Sequence, residues 1–201
     1  MTTTAADYAW FEERFPDLAE AYCFTLVQGL SPAELLRRLD GWEEPPLTGV
    51  DELGEAAFNL AHSSGDRRQF VAMTTVGSWT LMIEANGYLG VSDERVRAAS
   101  AGVRWVSHFI NINALGSFLW AEDSELRLSF DPMFPDDRCG TTPDELLDVM
   151  RDIGFHFEDD MPETYVSAEA AFALAEHLTG VAVTPELLEG TTFHCGGVPM
   201  E

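Results

Sequence analysis

The middle of this chain alternates short apolar segments with tight turns, a pattern that few folds accommodate. Strands rich in β-branched and aromatic residues are predicted at residues 21–30, 70–76, 79–85, 103–112, 115–121 and 125–131. Gly77 and Ser78 separate two of these segments, as in a two-residue hairpin. In the last segment Leu126, Leu128 and Phe130 alternate with polar residues, as in a half-buried strand. The pattern therefore predicts an antiparallel sheet.

Helix-start signals flank this central region. Ser31-Pro32-Ala33-Glu34 combines a capping serine, a proline at the first helical position and a glutamate three residues after the cap. Residues 42–54, which include two adjacent prolines, and residues 132–140 are predicted as loops. Helices are predicted at residues 7–18 with a break near Pro16, and at 32–39, 55–62, 93–101, 142–153, 168–179 and from 184 onward.

The order of these elements predicts the fold class. Strands cluster in the middle of the chain and most helices lie towards its ends, which is typical of an α+β fold. We expect an antiparallel sheet of about five to six strands, with helices at the N- and C-terminal ends packed on it. Residues 1–201 are expected to form a single α+β domain.

Composition indicates a globular protein. The chain has 201 residues, of which 46% are hydrophobic and 11% aromatic, enough for a sizeable core. The sequence has neither the roughly 18 apolar residues in a row of a membrane span nor the basic and apolar regions of a signal peptide. Cys23, Cys139 and Cys195 are widely spaced, which argues against a disulfide framework. We therefore expect a cytoplasmic protein without membrane contact.

The charge of the chain is strongly negative and unevenly distributed. Asp and Glu total 35 against 11 basic residues, all of them arginine, for a net charge of −24. Residues 1–60, 61–120 and 121–201 carry net charges of −9, +1 and −16. Such a field repels nucleic acid and anionic membranes and attracts basic proteins. The sequence therefore predicts a basic protein surface as partner and no nucleic-acid partner.

Acidic runs in the C-terminal part are the predicted partner-binding residues. These are Asp136, Asp137, Glu158, Asp159 and Asp160. For any one run the alternative is an ordinary solvated surface. The net charge of −16 over the last 81 residues favours a function, because such a concentration lowers stability by self-repulsion.

The sequence has no signature of a common catalytic or cofactor site. GxSxG, HExxH, CxxC, GxGxxG and GxxxxGK[ST] are all missing, and without lysine the chain has neither a P-loop lysine nor a Schiff base. His156, Glu158 and Asp160 would share one face of an extended segment and could bind a divalent metal, but an acidic surface loop gives the same string. We predict no catalytic residue, no cofactor and no metal.

A polar pocket is the alternative to an interaction surface. His108 lies in a predicted central strand, and Asn111 and Asn113 follow just beyond it. Glu84 lies near the end of another predicted strand. These side chains could bind a substrate, with His108 as acid or base. The competing interpretation is that His108 is a core residue that bonds a backbone carbonyl.

Several short segments of the sequence carry a family resemblance as a set. They are DYAWF from Asp7, CFTLV from Cys23, WTLMIE from Trp79 with Asn86 and Gly87, VSHF from Val106 with Asn111 and Asn113, SFDP from Ser129 and TPELL from Thr184. Together they resemble a family of uncharacterised, acidic proteins of roughly 200 residues and actinobacterial type, over almost the whole chain. The resemblance implies one domain and no established activity, and its segments include Glu84, His108 and Asn113.

Two functions therefore remain open. The first is a non-enzymatic acidic interaction protein that binds a basic protein partner, of the immunity-protein or nucleic-acid-mimic type. The second is an enzyme or small-ligand sensor with a polar pocket around Glu84, His108, Asn111 and Asn113. A further possibility is that the acidity serves solubility alone.

Overall fold

A computed structural model describes residues 3–157 and 166–200. These residues form one nine-stranded sheet, antiparallel throughout, in the order β2-β9-β3-β4-β1-β5-β6-β7-β8. The strands are β1 (Tyr22–Gln28), β2 (Trp42–Thr48), β3 (Arg68–Val76), β4 (Trp79–Ala85), β5 (Arg104–Ile110), β6 (Gly116–Glu122), β7 (Glu125–Asp131), β8 (Phe134–Cys139) and β9 (Thr192–Pro199).

Eight α-helices and two 3-10 turns accompany the sheet in the described part of the chain. The helices are α1 (Trp10–Arg14), α2 (Pro16–Ala19), α3 (Pro32–Arg38), α4 (Leu53–Ser64), α5 (Asp93–Ala99), α6 (Leu147–Ile153), α7 (Ser167–Thr179) and α8 (Pro185–Gly190). The 3-10 turns span Ala5–Tyr8 and Leu89–Val91. The predicted mixture of helices and an antiparallel sheet is confirmed, and the predicted strand count is wrong.

Two of the three unpredicted strands are the edges of the sheet. The prediction of loops at residues 42–54 and 132–140 is wrong where β2 and β8 form. The two prolines of β2 lie where its pairing with β9 shifts register, between Glu44 and Leu47. Proline is tolerated at an edge or a bulge because no ladder hydrogen bond is lost there. Carboxylates on an edge strand also oppose pairing with another sheet. Because prolines and carboxylates are typical of loops, both edge strands have loop-like sequences.

The third unpredicted strand, β9, lies inside the sheet between β2 and β3. It contains Gly196 and Gly197, and glycine weakens any strand signal. A Cβ on Gly196 would lie 2.9 Å from a methyl group of Leu36, and a Cβ on Gly197 would lie 3.1 Å from the Trp42 ring. The glycines therefore make room for neighbours that only the folded structure identifies.

Alternation along β1 divides the core into two halves. Tyr22, Phe24 and Leu26 point to what we call the first face, and Cys23 and Val27 point to the second face. Helices α1, α2, α4, α6, α7 and α8 contribute apolar side chains to the first face. Helices α3 and α5 and the Leu89–Val91 turn contribute to the second. The sheet is therefore covered on both faces.

Phe172 of α7 is the centre of the first-face core. Its ring lies 4.8 Å from that of Phe11 in α1, 5.0 Å from Phe24 and 5.6 Å from Tyr22 in β1, and 4.9 Å from His108 in β5. Tilted and edge-on ring pairs at these separations are favourable. This cluster joins the two ends of the chain to the centre of the sheet.

The predicted helix starts have different outcomes. The Ser31 capping box is confirmed, with Glu34 N donating to Ser31 Oγ at 3.3 Å and Ser31 N donating to Glu34 Oε2 at 2.9 Å. The helix predicted at residues 142–153 begins later than predicted, because α6 starts at Leu147. The Thr142 hydroxyl donates to the Arg127 carbonyl at 3.4 Å, and Glu145 accepts from the Arg127 guanidinium at 3.3 Å. Both side chains therefore bind β7.

Truncating Phe172 tests the importance of the aromatic cluster. We expect Phe172→Ala to lower the free energy of unfolding by about 3–5 kcal/mol, because a buried ring is lost and a cavity remains. Urea denaturation measures the change. The control is Phe58→Ala, since Phe58 is 69% exposed and its loss should change stability by less than about 0.5 kcal/mol. Equal losses for the two variants would contradict this view of the core.

Candidate functional site

The two titratable residues of the predicted polar pocket lie on opposite faces of the sheet. Glu84 in β4 is the pairing partner of Cys23, whereas His108 in β5 is the pairing partner of Phe24. Since Cys23 and Phe24 are neighbours in β1, their partners point in opposite directions. Glu84 is fully buried and His108 is 2% exposed. The structure therefore does not bring these two side chains together.

His108 lies in the aromatic core of the first face. Its Nε2 is 3.4 Å from the Tyr22 hydroxyl, and its ring also packs edge-on against Phe172. Its Nδ1 has no hydrogen-bond partner among the described residues. Burial lowers the pKa of His108 to about 3, so the imidazole is neutral at physiological pH. These contacts fit a core histidine, although the predicted backbone-carbonyl partner is not observed.

Asn111 and Asn113 form the turn between β5 and β6. Asn111 Oδ1 accepts hydrogen bonds from Asn113 N at 2.9 Å and from Leu115 N at 3.1 Å. Ala114 adopts a φ of 58°, which the turn stabilises. The carbonyl oxygen of the Asn111 side chain is therefore occupied by the turn. Asn111 therefore has a structural role in this turn, and Asn113 contributes its backbone N–H to it.

Glu84 anchors the segment after β4 to the second face. Its Oε2 accepts from Leu89 N and its Oε1 from Gly90 N, both at 3.0 Å. Burial raises the pKa of Glu84 to about 7, although the two backbone donors favour the charged form. Burial likewise raises the pKa of the adjacent Cys23 thiol, which is therefore protonated and a poor nucleophile.

A buried polar cluster surrounds this anchor, and sequence analysis missed it. Thr25 Oγ1 lies 3.1 Å from Ser107 Oγ, and Trp105 Nε1 donates to Ser107 Oγ at 2.7 Å and to the Gly90 carbonyl at 2.9 Å. A side chain at position 90 would collide with Thr25 and Cys23. The sequence pattern that could have indicated this cluster is the alternation of small polar residues with large apolar ones in the predicted strands at 21–30 and 103–112.

The predicted partner-binding acids are only partly within the described residues. Asp136 and Asp137 are exposed on the edge strand β8, and as neighbours in a strand they point to opposite faces. Residues 158–160 lie outside the described residues. Of the suggested metal ligands His156, Glu158 and Asp160, only His156 is therefore described. Within residues 3–157 and 166–200, no cluster of three metal-binding side chains occurs.

Charge differs strongly between the helices on the two faces. The first-face helices carry ten carboxyl side chains and two arginines, whereas α3 and α5 together carry three carboxyl side chains and four arginines. Both first-face arginines are ion-paired, Arg14 with Glu189 at 2.6 Å and Arg151 with Asp148 at 3.2 Å. The folded protein therefore has an acidic helical layer drawn from both ends of the chain.

Two adjoining clefts open beside α2 in this layer. One has a volume of about 550 Å³ and is lined by Asp17, Asp51 and Glu55. The other has a volume of about 460 Å³, shares Asp17 with the first and adds Glu20 and Asp66. We call these five carboxylates and the two clefts the acidic cleft. All five are exposed; Asp17 lies in α2, Glu20 directly follows α2, and Glu55 lies in the first turn of α4.

The buried imidazole should make stability depend on pH. Because the folded pKa of His108 is about 3 and its ordinary value is 6.5, the unfolded chain takes up a proton that the folded chain does not as pH falls from 6.5 towards 3. Wild type should therefore lose about 2 kcal/mol relative to His108→Leu between pH 7.5 and pH 5. Urea denaturation at both pH values measures this, and a pH-independent difference would contradict it.

Glu84 should have the opposite effect at higher pH. Its folded pKa of about 7 exceeds its ordinary 4.5, so the folded chain keeps a proton that the unfolded chain releases between these values. Stability from this group is full below pH 4.5 and falls as pH rises through 7. Wild type should lose about 3 kcal/mol relative to Glu84→Gln from pH 4.5 to pH 8. Denaturation curves that shift in parallel at every pH would refute this.

Comparison with known proteins places the chain in a family. No helix in the described part of the chain combines the length and apolar character needed to cross a bilayer. No curated protein and no solved structure matches the chain. The model of the family of unknown function DUF6461 matches residues 1–201, the full length of the sequence. The chain therefore belongs to the DUF6461 family.

Proposed function

We propose that this protein is a non-enzymatic interaction protein that binds a basic protein through its acidic helical layer. The observation that carries the proposal is the charge difference between the helices on the two faces, ten carboxylates with two arginines against three with four. Such a surface attracts positively charged proteins and repels nucleic acid and anionic membranes. An immunity protein or a nucleic-acid mimic works by this kind of contact.

Solubility alone explains the total charge but not its arrangement. A surface that needs charge only to stay soluble gains nothing from placing it on one layer. Concentrated like charge costs stability, and the two ion-paired arginines, Arg14 and Arg151, leave most of the layer's carboxylates uncompensated. A basic partner would relieve that repulsion on binding. The asymmetry therefore favours a contact surface.

A catalytic or ligand-binding pocket on the predicted polar residues has less support. Glu84 and His108 are buried on opposite faces, and Asn111 is engaged in a turn. Solvent does not reach the two titratable groups in this conformation. The acidic cleft, in contrast, is open and its carboxylates are exposed. The observed geometry therefore favours an interaction surface over a pocket at these residues.

Neutralising two cleft carboxylates tests the proposal. A synthetic peptide of alternating arginine and serine serves as a defined basic probe, and calorimetry measures its affinity at several salt concentrations. We expect wild-type affinity to fall as salt rises, because screening weakens the attraction. Asp17→Asn with Glu20→Gln should bind the peptide about fivefold more weakly at low salt, since each exposed pair contributes up to about 1 kcal/mol.

The matched control neutralises two exposed carboxylates associated with the second face. Asp40→Asn with Glu94→Gln changes the net charge by the same amount, and both residues are exposed. This variant should bind the peptide as wild type does. Equal weakening in both variants would show that only total charge matters, and affinity that is independent of salt would show that electrostatic docking does not occur.

A further inference from the structure

The large exposed apolar side chains within residues 3–157 and 166–200 lie at one end of the sheet. The described part of the chain has six large apolar residues that are exposed, by between 39% and 73%. Isolated exposed apolar residues are normal, but a cluster of them marks an interaction site. The six are Phe58, Tyr88, Ile112, Leu115, Phe134 and Val166.

The antiparallel registers establish that these positions share an end. Tyr22 at the start of β1 pairs with Ala85 at the end of β4 and with Ile110 at the end of β5. Tyr88 follows β4, while Ile112 and Leu115 lie in the turn that pairs Ile110 with Gly116. Asp131, the last residue of β7, pairs with Phe134, the first residue of β8. Four of the six residues therefore lie at the end of the sheet that contains Tyr22.

The other two reach the same end from the helical layer. Phe58 of α4 lines the smaller part of the acidic cleft together with Ala85 and Ile112. Val166, next to α7, lines a neighbouring cleft of about 420 Å³ together with Tyr22 and Ile110. We call the six residues at this end the apolar end. The opposite end of the sheet carries none of these six residues.

The apolar end and the acidic cleft meet at Phe58 and Ile112. Phe58 is 69% exposed and Ile112 is 73% exposed. Both line the cleft whose wall also contains Asp17, Glu20 and Asp66. Two exposed apolar side chains that share a cleft with three carboxylates match the composition of a protein-binding surface, which combines apolar anchors with a charged rim.

We propose that Phe58 and Ile112 are the apolar anchor on which a basic, amphipathic segment of the partner docks. This inference rests on the proposed function and specifies its partner. The segment presents apolar side chains between arginines or lysines, so that the apolar groups cover Phe58 and Ile112 while the cations pair with Asp17, Glu20 and Asp66. A helix with one apolar and one basic face has this chemistry.

Charge favours a basic segment over a second copy of the chain or a lipid surface as the occupant of the apolar end. A second copy of the chain would bring another net charge of −24 against the same carboxylates. An anionic lipid surface would be repelled for the same reason. A basic segment gains from both the apolar contact and the field of the cleft. The surface is therefore complementary to a basic partner.

The test compares two peptides of equal positive charge. One is helical and places leucines along one face and arginines along the other, and the second has each leucine replaced by serine. Wild-type protein should bind the leucine peptide at least about tenfold more tightly, as expected for a buried anchor. Phe58→Ser with Ile112→Ser should abolish this preference and leave the salt dependence of binding unchanged.

Phe134→Ser is the matched control. Phe134 is a phenylalanine of similar exposure, 58%, at the same end of the sheet. It lies on β8, three strands beyond β5, so about 14 Å of sheet separates it from the anchor. This variant should keep the full preference for the leucine peptide. Equal loss in Phe134→Ser and in the double variant would overturn the assignment of the anchor.

The remaining outcomes separate this inference from the proposed function. If affinity depends on salt and on Asp17 and Glu20 but the two peptides bind equally, the anchor is refuted and the acidic docking surface stands. If neither peptide binds in a salt-dependent way, the proposed function fails as well. Two further results would overturn the inference. If the wild type dimerises in sedimentation and Phe58→Ser with Ile112→Ser does not, the apolar end binds a second copy of the chain. If the wild type binds neutral phosphatidylcholine vesicles and the double variant does not, the apolar end binds lipid.

Discussion

The packing of Phe172 against α1, β1 and β5 holds the rest of the structure together. Phe11, Phe24 and His108 meet this ring at 4.8 to 5.0 Å, although the four residues lie far apart in sequence. Because the cluster joins both chain ends to the centre of the sheet, it brings the acidic N-terminal and C-terminal helices into one layer. Aromatic packing therefore brings α1 and α7, which carry four carboxylates of the acidic helical layer, to the same face of the sheet.

The second face depends on a different kind of contact. Glu84 accepts two backbone hydrogen bonds from Leu89 and Gly90, and Trp105 bonds the same segment from β5. Fully buried polar groups of this kind specify one arrangement, because each alternative leaves a donor or acceptor unpaired. Glu84, which the sequence predicts as a pocket residue, thus holds the segment after β4 in place.

The acidic cleft and the apolar end meet at Phe58 and Ile112. In the proposed docking, the carboxylates attract a basic partner and speed the encounter, while exposed rings and branched side chains supply the contact that charge alone does not. Arg14, on the wall of the cleft, is already paired with Glu189 and adds no compensating charge of its own. Under this proposal, the surface selects partners by charge and by shape together.

Sequence patterns determined the α+β class, the central strands and the Ser31 cap, since hydrophobic periodicity and capping depend on neighbouring residues. They did not identify β2, β8 and β9, because prolines, carboxylates and glycines suit a strand only at an edge, a bulge or beneath a bulky neighbour. Strand alternation could place Glu84 and His108 on faces only once the register to β1 was known. Composition established the net charge, and tertiary packing alone decided that the helices of the first face carry ten carboxylates and two arginines.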